Sequence, residues 1–116
     1  MSRALDHARL VIRTLKAADV PPVDWAIART PVNHRPFPFG ATEVPDLAAA
    51  TRVARAYADA LGADMPELTE GALEHEATGE SEPMYVYVVM GRLRGILVLV
   101  NVVIDPRPAR EGARHD

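Results

Sequence analysis

The sequence predicts an α+β protein, a two-layer sandwich in which two helices pack on a mainly antiparallel sheet of about four strands, in the order α-β-α-β-β-β. Three features carry that expectation. Two segments place their apolar residues at helical spacing, two shorter ones alternate with period two, and two long apolar runs flank a glycine-bracketed turn. With 116 residues the chain suits one domain, residues 1–105, followed by a tail, 106–116, whose prolines, glycine and mixed charges predict disorder.

Residues 3–18 form the first helix of this reading. Ala4, Leu5, Ala8, Val11, Ile12, Leu15 and Ala18 fall within about 140° of one another on a helical wheel, a stripe fit to face a core. Ser2 is the expected N-cap, and Pro21-Pro22 ends the pattern because proline cannot continue a helix. Val23, Trp25 and Ile27 then share one side of an alternating segment, read as a strand. Four prolines between residues 30 and 45, at 31, 36, 38 and 45, predict an extended loop. A second helix is expected from Pro45 to Leu61, with Gly62 as its cap. Its alanine-rich apolar arc spans roughly 200°, which implies more than one packed neighbour.

After a polar link, Ala72–Thr78 alternates weakly and reads as an edge strand. Met84–Met90 and Ile96–Ile104 are the strongest strand signals, joined as a hairpin through Gly91-Arg92-Leu93-Arg94-Gly95. The hairpin is not a membrane span, since Arg92 and Arg94 sit at its middle and each flank is too short to cross a bilayer. No secretory pattern opens the chain, so a cytoplasmic location is expected.

Both hairpin strands are apolar on both sides, and two helices cannot cover two faces well. The uncovered face is expected to meet a second copy of the chain or another protein, with Tyr85, Tyr87, Val89, Leu97, Leu99 and Val103 as the interaction surface. Arg35, Phe37 and Phe39 in the proline-rich loop are a candidate partner-docking segment, stiff enough to lose little entropy on binding. The bland reading tucks both phenylalanine rings under that loop to close the core.

Charge is distributed by segment. The balance is +3 over residues 1–55, −8 over 56–91 and +2 over 92–116, for a net charge of −3. Twelve of the thirteen basic residues are arginine and nineteen residues are alanine, a coding bias that points to a bacterial or mobile-element origin and not to phosphate binding. Arg9, Arg13 and Lys16 lie within about 60° on the first helix, and Arg52 and Arg55 share the polar side of the second, so these five are candidate nucleic-acid contacts. The acidic middle segment argues against them, and serves either to solvate an edge strand or to meet a basic partner.

Chemistry is not signalled. Glu74-His75-Glu76 is the most ligand-like cluster, but on a strand His75 points away from its neighbours. His7 reads as a surface residue, and His34-Arg35 is a minimal anion site at most. No phosphate loop, nucleophile elbow or zinc-helix motif occurs. The expectation is a non-catalytic interaction or assembly module without cofactor or metal, self-associating or docking on a protein. The alternatives are a nucleic-acid-binding accessory protein and a small enzyme with a dispersed site.

Overall fold

The computed structural model describes residues 3–74 and 78–105. Its elements are α1 (Arg3–Ala17), β1 (Asp24–Arg29), β2 (Pro36–Val44), α2 (Leu47–Leu61), β3 (Leu68–Glu74), β4 (Ser81–Leu93) and β5 (Ile96–Ile104). The strands make one sheet in the order β1-β2-β5-β4-β3, with only the β2–β5 pair parallel. The α+β class, the two helices and the mainly antiparallel sheet agree with the sequence reading. Ser2, residues 75–77 and the tail 106–116 lie outside the described residues, and with them the expected N-cap, His75 and the expected disordered segment.

Among the described residues the sheet has five strands where about four were expected, because the proline-rich stretch expected as a loop is β2. Prolines are tolerated where the missing N–H has no ladder partner to serve. Pro36 and Pro38 pair with Arg29 and Ile27 of β1, while pairing with β5 begins only at Phe39. Over its first residues β2 is therefore locally an edge, and the ring faces of both prolines are buried under α1. Two boundaries also move. α2 starts at Leu47, with Asp46 as its cap accepting the Ala49 N–H at 2.8 Å, and β3 lies earlier than expected. Gly62 closes α2 in the left-handed conformation, as its position predicts.

Both helices lie on the same side of the sheet. α1 contributes buried Ala8, Val11 and Leu15, chiefly over β2. α2 contributes Ala50, Val53, Ala54, Tyr57, Ala58 and Leu61 over β4 and β5. Beneath them stand Tyr87 and Val89 of β4 with Val98, Val100 and Val102 of β5, all in one core. The broad apolar arc of α2 is thus used to reach two strands and the Trp25 side of the sheet.

Small residues let the layers approach. A Cβ on Gly40 would lie 2.8 Å from Val23 Cγ2 and 3.0 Å from the Trp25 ring, so the indole lies directly over that glycine. Trp25 meets Tyr57 edge-on, with ring centroids 6.0 Å apart, and the Tyr57 hydroxyl donates to the Pro21 carbonyl at 2.5 Å. Gly91 likewise admits the last turn of α2, since a Cβ there would sit 2.8 Å from Leu61 Cβ.

The hairpin turn is tighter than expected. β4 runs through Leu93, which pairs with Ile96, leaving two turn residues, Arg94 and Gly95. Both have positive φ, 54° and 78°, as a type I′ turn requires.

Candidate functional site

The register settles which residues face away from the helices. Leu93 pairs with Ile96, so odd positions of β4 share a face with even positions of β5. Tyr85, Tyr87 and Val89 therefore point to the helix side, where Tyr87 and Val89 are buried and the Tyr87 hydroxyl lies 3.2 Å from Thr51 Oγ1. Leu97, Leu99 and Val103 point to the opposite side. The six residues expected as one interaction surface are thus split between two faces, and Tyr87 and Val89 belong to the core.

The open face has a different membership. Ala26, Phe39, Leu99 and Met90 form one row across β1, β2, β5 and β4. Ala41, Asn101 and Val88 form the next, and Val103 and Val86 the one beyond. Phe37 and Leu97 continue it toward the turns. None of these residues is buried, and Met90 is 58% exposed. Phe37 and Phe39, expected on a docking loop or beneath it, are instead side by side on this face of β2. Met84, Val86, Val88 and Met90, absent from the expected surface, are its β4 contribution.

One polar residue interrupts the apolar rows. Asn101 on β5 stands between Ala41 and Val88, and its Oδ1 is buried without a hydrogen-bond partner. Charge sits at the ends: Asp24 and Glu43 mark one end of the face, and Arg92, paired with Leu97, marks the other.

A second feature lies where β2 and β5 begin. Parallel pairing brings the β1–β2 turn beside the β4–β5 turn, and the first turns of α1 close over them. The space between is a cavity of about 470 Å³. Among the described residues its basic side chains are His7, Arg35, Arg92 and Arg94, and none of the residues lining it carries a carboxylate. Thr30 and Asn33 add polar groups, while Val32, Pro36, Phe37 and Leu97 supply apolar wall. The β1–β2 turn is held by its own bonds. Arg29 Nη1 donates to the His34 carbonyl at 3.0 Å, Thr30 bonds Asn33, and the Arg35 N–H donates to Thr30 Oγ1 at 3.0 Å. Arg92 Nη1 donates to the Gly95 carbonyl at 3.2 Å.

From the sequence these residues stand apart: His7 as a surface residue, Arg35 as a docking candidate and with His34 a minimal anion site, Arg92 and Arg94 as a hairpin tip. Only the parallel β2–β5 pairing joins them, and no local pattern announces that pairing.

Arg9, Arg13, Lys16, Arg52 and Arg55 are all exposed. They lie on two helices that sit over different strands, so the structure does not gather them on one element. Among the described residues no three His, Asp or Glu side chains are grouped as metal ligands, and no helix is long and apolar enough to cross a membrane. No protein-family model matches the chain, and no curated protein or solved structure is significantly similar to it.

Proposed function

We propose that the protein is a non-catalytic assembly module that pairs with a second copy of itself through the open face of its sheet. The observation that carries this reading is that both helices cover one side, while Phe37, Phe39, Leu97, Leu99, Val86, Val88 and Met90 form unburied apolar rows on the other. Four strands about 4.8 Å apart, over about eight residues of about 3.3 Å each, give a projected area of roughly 500 Å². That is toward the upper end of what monomers leave in water, about 300–600 Å². Two such faces bury roughly 1,000 Å², where specific interfaces begin.

The charges favour a second copy as the occupant. A two-fold axis that reverses strand direction brings the Asp24 and Glu43 end of one copy to the Arg92 end of the other. A stacking that keeps strand direction would set acid against acid. Face-to-face sheets pack well with their strands nearly aligned, which this axis permits.

Light scattering coupled to size exclusion, from about 100 down to about 1 μM, tests the reading. The wild-type chain is expected to run at dimer mass and to dissociate on dilution. Leu99→Asp, which desolvates a carboxylate in the pair but leaves the helix-side core intact, is expected to run as a folded monomer throughout. A wild-type monomer at about 100 μM, or a dimer indifferent to Leu99→Asp, refutes it.

A further inference from the structure

We infer that the cavity between the β1–β2 turn, the β4–β5 turn and α1 binds a small organic phosphate monoester with an apolar or aromatic body. The cavity shares Phe37, Leu97 and Arg92 with the open face, so it is tested on the chain at a concentration where the copies separate.

Among the described residues three arginines and a histidine line one cavity with no carboxylate beside them, in a chain whose net charge is −3. Arginines grouped by the fold normally find acidic partners. Here Arg35, Arg92, Arg94 and His7 make no ion pair among the described residues. Arg92 is tied only to a turn carbonyl, which orients its guanidinium without neutralising it. An oxyanion is what such a group lacks, and planar guanidinium forks match phosphate oxygens two at a time. A dianionic monoester suits three arginines better than a single carboxylate does.

The rest of the cavity specifies the body. About 470 Å³ is within the range of organic-ligand sites, about 300–1,000 Å³, and far exceeds what a bare phosphate fills. The Phe37 ring and the Leu97 side chain, neighbours at the start of β2 and β5, give an apolar wall beside the cations. The turns are bonded internally before any ligand arrives, so little ordering remains to oppose binding.

Calorimetric titration with phenyl phosphate, inorganic phosphate and phenol tests the site on the full chain. Phenyl phosphate is expected to saturate one site per chain below about 1 mM, with the other two at least about tenfold weaker. Arg35→Ala is expected to weaken it about tenfold or more. So is Arg94→Asn, which removes the cation while placing Asn-Gly, the preferred pair, in the type I′ turn. Because that second variant favours the native turn, loss of binding there is not loss of folding, and melting curves check this for both. Three results overturn the proposal: no saturation by about 10 mM, inorganic phosphate binding as tightly as phenyl phosphate, or binding unchanged in both variants. A single-stranded oligonucleotide outcompeting phenyl phosphate at equal phosphate concentration also overturns it, in favour of a polyanion surface. Titrations at about 1 μM, where the dimer is expected to dissociate, keep the outcome separate from that of the self-association experiment.

Discussion

Replacing Gly91 by alanine places a methyl group where the last turn of α2 meets β4. An ideal Cβ there lies 2.8 Å from Leu61 Cβ and 3.4 Å from the Leu61 carbonyl oxygen. Carbon atoms prefer about 3.5–4.0 Å, so Leu61 must withdraw by roughly 1 Å. Its Cβ is fixed to the helix backbone, so the end of α2 moves with it. Overpacking of this kind costs about 1–3 kcal/mol, offset by about 0.5–1 kcal/mol from replacing a strand glycine. The net destabilisation is about 1 kcal/mol at the centre of these ranges and about 2.5 kcal/mol at most. For a chain of 116 residues, an unfolding entropy of about 2.1 cal/mol/K per residue converts that to a Tm lower by about 4 °C, and by about 10 °C at most. Gly71→Ala is the control. Its Cβ would meet only Met84 Cγ, at an ordinary 3.6 Å, so this variant is expected to gain up to about 1 kcal/mol. Thermal melts by circular dichroism at one protein concentration read both. A Gly91→Ala variant that melts at or above wild type refutes the close approach of α2 to β4.

Asn101→Leu removes a carbonyl oxygen buried without a partner and is expected to stabilise the chain by about 1 kcal/mol in denaturant titration. Equal or lower stability would mean that the amide is satisfied in solution. Tyr57 governs the alkaline limit. Burial raises its hydroxyl pKa above 10.0, so above that pH the unfolded chain releases the proton first and binds fewer protons than the folded one. The stability tied to Tyr57 is complete below about pH 10 and falls as pH climbs toward the raised folded value. Tyr57→Phe is expected to lose about 1 kcal/mol at neutral pH with the Pro21 bond, yet to show a shallower decline above pH 10 in urea titrations. Parallel declines in the two proteins would remove Tyr57 from that role.

The helices and the hairpin were readable because their periodicities are long and their ends are marked by Pro21-Pro22, Gly62 and the turn glycine, while the Asp46 cap lay one residue past the expected Pro45 start. β2 was not readable. Pro36 and Pro38 suggest a loop unless it is known that β5 pairs with β2 only from Phe39 onward, a fact held about sixty residues away, at Leu99. The open face was readable in kind but misassigned in detail. Treating Gly91–Gly95 as the turn leaves the register free. The two-residue Arg94-Gly95 turn fixes it and moves Tyr85, Tyr87 and Val89 to the helix side. The basic cavity had only the weak local signal of His34-Arg35, since its arginines come from two separate chain segments that only a non-local parallel pairing makes neighbours.

That pairing also sets the order in which the molecule can be completed. β5 lies between β2 and β4 although it is the last of the strands in the chain. Until it is in place, β2 and β4 each hold an unfilled row of backbone donors and acceptors, and the apolar residues meant for the core have no floor. At about 5–20 residues per second, roughly 3–12 s separate the synthesis of Val44 from that of Ile104. During that interval the nascent chain has two sticky half-sheets and cannot close them. A neighbouring chain at the same stage offers each half what it lacks, so crowded polysomes are where this fold is most exposed to wrong pairing. Chaperone demand should follow the rate of translation through β5 more closely than the stability of the finished protein.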